Sequence, residues 1–224
     1  MSSAKQAAGE AAAALVEPGM RLGLGTGSTV AYFLDALAAR NIDVAGVPTS
    51  EATAAHCRRV GIELLEVGDV ERLDLVVDGA DELTSHLALT KGGGGALLRE
   101  KVVASMADRF VVIATPDKVV DRLGASFPLP IEVVDFAAPE VARRVLDLGA
   151  TEVNLRGHGG ERTDNGNVIL DAVFSDGIQD VDVLAVALSL QPGIAEHGLF
   201  VDMADEALLG ADTGVEVLRA SDDG

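Results

Sequence analysis

The spacing of apolar and polar positions changes period repeatedly along the first half of the chain. Residues 3–16 are alanine-rich and favour helix, and Pro18-Gly19 ends that segment. Arg21–Gly25 reads as a short strand running into a glycine turn. From 29 to 40 apolar residues recur at helical spacing, at Val30, Phe33, Leu34, Leu37 and Ala38. A strand over Val44–Val47 and a helix over 51–60 follow. The continuous apolar runs at 73–77 and 110–114 predict strands buried on both faces, with a helix over 95–107 between them. Strands alternating with helices predict a mostly parallel sheet covered on both sides.

The rhythm changes near Phe127-Pro128-Leu129-Pro130. Strand 131–134, helix 138–148, strands 151–155 and 167–173 and helix 178–189 form a βαββα pattern, which predicts a small α+β unit. Asn165-Gly166 predicts a two-residue hairpin turn between the last two of those strands. Tail strands near 200–203 and 215–218 are expected to rejoin the main sheet. The expected division is therefore 1–126 plus 199–224 for the larger domain, with 127–198 inserted.

The 17 basic and 36 acidic residues leave a net charge of −19. Such a charge opposes nucleic acid, whose affinity comes from phosphate neutralisation, and anionic membrane surfaces. The acids are spread along the chain, as expected of a surface adapted to high salt. Only Lys5, Lys91, Lys101 and Lys118 are lysines, and three of the four fall within 91–118, a local anion-site signal. No apolar run approaches the ~20 residues of a membrane span. Met1–Lys5 lacks the blocks of a signal peptide, and Cys57 has no internal disulfide partner. The expectation is a cytoplasmic protein. Arg58 and Arg59 beside Cys57 would lower its pKa, although a lone thiol is more often packing than catalysis.

Four segments carry candidate chemistry. In Gly23-Leu24-Gly25-Thr26-Gly27-Ser28-Thr29, at a strand-to-helix junction, glycines allow amides to point inward and the helix N-terminus adds partial positive charge. It is a phosphate or carboxylate cradle, or else a plain capped turn. Its spelling excludes the dinucleotide fingerprint and the P-loop. Asp78-Gly79-Ala80-Asp81-Glu82 places three acids beyond a buried strand, where open α/β sheets bind ligands. The same residues also make turns. Lys91-Gly92-Gly93-Gly94-Gly95 costs much entropy to order, which suits a loop approached closely by a ligand, with a lysine beside a developing oxyanion. Glu100 lies on the helix that follows, and only that neighbourhood marks it as a general base. The four histidines have no metal-ligand spacing.

Taken in order, GLGTGST, DGADE and KGGGGAL-x-REK, continuing through Phe127–Val133, Thr163–Asp171 and Gly198-Leu199-Phe200, the chain resembles the type A ribose-5-phosphate isomerases. The resemblance implies a Rossmann-like, mostly parallel sheet with an inserted ferredoxin-like α+β lid. It implies interconversion of ribose 5-phosphate and ribulose 5-phosphate through an enediolate, with no cofactor and no metal. Glu100 is then the base at carbon, and Asp78 and Lys91 handle the hydroxyl and carbonyl oxygens, with Asp81 a further active-site acid. Thr26, Gly27, Ser28, Thr29, Gly79, Ala80, Gly92, Gly93 and Gly94 contact substrate, and Lys118 and Lys5 hold its phosphate. Gly95 departs from the alanine common in the family, which is expected to loosen the helix start. The partner is a small sugar phosphate, and the family implies a homodimer or homotetramer. Sugar-phosphate deaminases and CoA transferases share the wider superfamily, and a sugar-phosphate sensor is a non-enzymatic alternative. The set of Asp78, Lys91 and Glu100 favours the isomerase over a sensor.

Overall fold

The protein is described from a computed structural model covering residues 2–219. Its elements run α1 (Ser2–Ala14), β1 (Arg21–Leu24), α2 (Ser28–Ala39), β2 (Ala45–Pro48), α3 (Glu51–Val60), β3 (Glu63–Leu64), β4 (Leu75–Asp78), β5 (Glu82–Leu83), β6 (Leu89–Thr90), α4 (Leu97–Ser105) and β7 (Phe110–Ala114). Then come β8 (Leu129–Val133), α5 (Ala138–Asp147), β9 (Glu152–Leu155), β10 (Val168–Val173), α6 (Val181–Ser189), β11 (Ile194–His197), β12 (Leu199–Phe200), β13 (Glu206–Ala211) and β14 (Gly214–Arg219).

The main sheet has the order β14-β13-β7-β4-β1-β2-β3. All its pairs are parallel except the β13–β14 hairpin. The apolar runs of β4 and β7 divide by parity. Leu75, Val77, Val111 and Ile113 join the core under α1 and α2, while Val76, Phe110, Val112 and Ala114 join the core on the face of α4. That two-sided burial is why these strands read as unbroken hydrophobic segments. The small residues of α1 let it lie close: a Cβ on Gly210 of β13 would meet the Ala4 carbonyl at 2.0 Å, and one on Gly9 would meet the Phe33 amide at 2.6 Å.

Residues 129–197 build a four-stranded antiparallel sheet of order β11-β8-β10-β9 with its own core against α5 and α6. Its sequence order is βαββαβ, the ferredoxin-like pattern, one strand more than the spacing predicts. The extra strand, β11, escapes the pattern because Ala195 and Glu196 break its apolar run, and its register against β8 shifts between Ile194 and Glu196. Asn165-Gly166 is not a two-residue hairpin, since residues 156–167 all lie between β9 and β10. It makes instead a tight turn inside that connection. Gly166 has φ 82°, its amide donates to Thr163 O, and the Thr163 amide donates to Asn167 O.

Two tail expectations also change. The segment at 199–200 joins β5 and β6 in a separate three-stranded sheet rather than the main one. The main sheet receives β13, which spacing misses because Glu206-Ala-Leu-Leu-Gly-Ala lacks β-branched residues. Packing between β7 and β14 imposes the extended form there. Among the described residues no helix is long and apolar enough to cross a membrane.

Candidate active site

The C-terminal ends of β1, β4 and β7 meet at one cavity of about 180 Å³. It is lined by Lys5, the turn Thr26–Thr29, Gly79–Asp81, Lys91–Gly94, Glu100, residues 113–115 at the end of β7, and Lys118. The structure therefore brings every predicted site residue except Asp78 to the lining of one cavity. Asp78 is 1% exposed and is not among the lining residues.

Asp78 ends β4 and is used up by protein groups. Its Oδ1 accepts from the amides of Thr26 (2.9 Å) and Gly79 (2.7 Å), and its Oδ2 lies 3.0 Å from Lys91 Nζ. These contacts tie the turn after β1 and the Lys91 ammonium to the end of β4. Gly25 makes this arrangement possible, because a Cβ there would lie 2.2 Å from Asp78 Oδ1. Asp81 faces the cavity, and its Oδ2 accepts from the Gly93 amide at 2.7 Å. Glu82, the third acid, points elsewhere. It is buried and accepts from the amides of Gly124, Ser126 and Phe127, pinning the chain just before β8. Three acids in five residues thus have three different surroundings.

Lys91 is 2% exposed. Its ammonium donates to Gly79 O, faces Asp78 and Glu100 (3.0 and 3.3 Å), and sits 5.5 Å from the centre of the Phe200 ring. Burial opposes the charged form, but Asp78 and Glu100 outweigh it and hold the lysine above its usual pKa. Glu100 lies on the inner face of α4, 5% exposed. Oε1 faces Lys91, while Oε2 is buried without a hydrogen-bond partner. Burial pushes this carboxyl up to about 8, against the pull of Lys91 and with the help of the negative charge on Asp78. The carboxylate therefore does not reach into bulk solvent.

Lys5 and Lys118 add positive charge to the cavity lining. Helix α2 starts after Gly27, which has φ 120° and supplies no side-chain cap, so the first amides of α2 are left for a ligand. Lys5 Nζ donates to Ser28 Oγ at 2.8 Å, and Lys118 lines the same cavity. Two lysines beside an uncapped helix N-terminus suit a phosphate. Thr26 lines the cavity too, and its hydroxyl is hydrogen-bonded with those of Thr49, Ser50 and Thr53 at 2.7, 2.8 and 3.1 Å.

Gly95 lies in the turn just before α4. It has φ 79°, where an alanine is strained, and its amide closes a turn on Gly92 O at 2.9 Å. Cys57 is fully buried, and burial raises its pKa to about 11, overriding the lowering by Arg58. It belongs to the core. Among the described residues no group of three His, Cys, Asp or Glu is arranged to hold a metal ion.

Sequence spacing misses Arg156. Its Nη1 donates to the carbonyls of Gly92 (3.0 Å) and Gly93 (3.1 Å), and its Nε donates to Asp171 at 2.9 Å. No local signal marks this arginine, because its partners are remote in sequence.

A sequence model of the family described as Ribose 5-phosphate isomerase A (phosphoriboisomerase A) matches residues 45–214. The chain belongs to the ribose 5-phosphate isomerase A family. A relative of that name from Caulobacter sp. (strain K31) is 52% identical over 217 residues, covering 94% of this chain and 95% of the relative. Another from Sinorhizobium medicae is 49% identical and covers 96% of each. Among solved members, the Neisseria gonorrhoeae ribose 5 phosphate isomerase A superposes with TM-score 0.92 at 35% identity, covering 98% of this chain and 97% of that one. A D-ribose-5-phosphate isomerase in complex with phospho-erythronic acid superposes with TM-score 0.91 at 36% identity, covering 96% and 97%.

Proposed function

We propose that this protein is an aldose-ketose isomerase interconverting D-ribose 5-phosphate and D-ribulose 5-phosphate, a step of the non-oxidative pentose phosphate pathway. The observation that carries the reading is the unpartnered, buried Oε2 of Glu100 in a cavity that Lys5 and Lys118 also line. The phosphate lies between Lys5, Lys118 and the α2 N-terminus, and the sugar carbons reach toward Glu100. Glu100 takes the proton from C2 of the aldose while the aldehyde oxygen gains one, giving an enediol or enediolate. It then returns its proton to C1 while the C2 hydroxyl loses its own, leaving the ketone. Asp81, which lines the cavity where Asp78 does not, serves the exchange between the two oxygens. Asp78 acts by holding Lys91, whose positive charge offsets the developing oxyanion. All these groups belong to the protein, so the reading needs neither a cofactor nor a metal.

Phospho-erythronic acid, bound by a solved relative, carries a phosphate and a carboxylate. That carboxylate imitates an enediolate, which suits a cavity of this polarity. The test is direct: incubate the protein with ribose 5-phosphate and follow ketose formation. Absence of ketose at any pH between 6 and 9 would remove the reading.

Segment 127–198 is read as an inserted domain, on the strength of its separate core. A homodimer or homotetramer is favoured by the apolar residues exposed on α6 and just after it, Val183, Val186 and Leu190, and by Phe136, 97% exposed. A cytoplasmic, salt-adapted protein is the reading that the single cysteine and the −19 charge support.

A further inference from the structure

The Gly92–Gly94 loop is a wall between two cavities. On one side lies the cavity of Glu100 and Lys91. On the other is a cavity of about 210 Å³ that Arg156 lines, and Gly93 and Gly94 border both. Arg156 does not border the first cavity. Its Nη1 draws two successive carbonyls, Gly92 O and Gly93 O, toward its own side. Among the described residues no peptide bond is cis, so the N–H of each peptide points opposite to its C=O. The Gly92–Gly93 peptide follows this rule, since its carbonyl meets Arg156 and its amide meets Asp81 on the cavity side. The next peptide has its carbonyl on Arg156, and among the described residues the Gly94 amide has no acceptor.

We propose that Arg156 is a positioning residue that aims the Gly94 N–H into the sugar cavity as an oxyanion donor. The proposal rests on the isomerase reading above. Asp171 orients the guanidinium through Nε and Nη2. Four glycines in a row would otherwise sample many peptide orientations. A donor fixed before substrate arrives needs no reorganisation at the moment of reaction, which is where oxyanion stabilisation gains its strength. Lysine at 156 keeps the charge but has one nitrogen on a flexible stem, and cannot bind Asp171 with one edge while holding two carbonyls with another.

The test compares wild type with Arg156→Lys and Arg156→Ala. It measures kcat and KM for ribose 5-phosphate and the inhibition constant of phospho-erythronic acid. The expected result is a kcat at least about tenfold lower in both variants, KM within about threefold of wild type, and inhibitor affinity falling in step with kcat. The wild-type pH profile should be retained, because the base is untouched. A merely structural role would lower active enzyme or weaken substrate and inhibitor alike. Circular dichroism and melting report folding, and if Arg156→Ala does not fold, Arg156→Lys decides. A kcat within twofold of wild type, or equal loss of substrate and inhibitor affinity, overturns the proposal while an active wild type leaves the isomerase reading standing. A wild type inactive on ribose 5-phosphate overturns both.

Discussion

Replacing Glu100 by Gln changes one oxygen for nitrogen in a carboxyl that is 5% exposed and faces Lys91 at 3.3 Å. The amide oxygen can still accept from the ammonium, and Lys91 keeps Asp78 and the Gly79 carbonyl, so the fold is expected to survive. What is lost is the base. Losing a general base lowers the rate by about 10²–10⁴-fold, so kcat should drop at least about a hundredfold. On the scale of about 1.4 kcal/mol per decade, that is roughly 2.7 kcal/mol of barrier. The pH dependence gives a sharper criterion. Burial raises the Glu100 pKa to about 8, and only the ionised form accepts a proton from carbon. Wild-type kcat/KM should therefore climb as pH rises through about 8, and the variant should lack that limb. Stability runs the other way. The folded protein holds this proton more tightly than the unfolded chain, so the group's contribution is complete below the ordinary value of 4.5 and is lost as pH rises through about 8. The loss is no steeper than about 1.4 kcal/mol per pH unit. Urea titrations at pH 5, 7 and 9 should show the variant gaining on wild type as pH rises. Ketose formation followed in both proteins from pH 6 to 9 completes the assay. Near-normal turnover in the variant, or a flat wild-type profile, would refute the reasoning.

Asp78→Asn strips a buried ammonium of one carboxylate and turns an amide donor toward it. Breaking a buried pair costs about 3–5 kcal/mol, which for a chain of this size lowers Tm by roughly 10 °C; an unchanged melting curve would mean that Asp78 does not anchor Lys91. Gly25→Ala forces a Cβ to within 2.2 Å of Asp78 Oδ1 and 2.6 Å of its Cα. About 1–3 kcal/mol of stability should go with most of the activity, and a fully active, equally stable variant would contradict the close approach. Enzyme treated with EDTA should keep full activity; restoration of lost activity by a divalent ion would assign the acids of 78–82 to metal binding. With a charge of −19, activity and melting temperature should rise with added salt, and a maximum at low salt would end the salt-adapted reading.

Much of the architecture is legible in the one-dimensional pattern, because periodicity, glycine turns and apolar runs are local properties. The apolar run that predicts a strand over 73–77 does lie on one covered on both faces, although β4 itself spans Leu75–Asp78 and Asp74 is exposed. The residue types of the site are equally visible, since glycine loops and the Lys91–Glu100 spacing stand out in the chain itself. Their division of labour is not. Asp78, Asp81 and Glu82 look alike as letters, yet one anchors Lys91, one borders the cavity and one pins the chain before β8. That outcome depends on where β4 ends and β5 begins, and on which remote groups arrive there. The raised pKa of Glu100 follows from burial beneath other segments, and Arg156 meets the glycine loop only because β9 brings it across more than sixty residues. Local pattern determined the elements and the chemistry on offer; long-range packing decided which groups are dry, which are paired and which face the substrate.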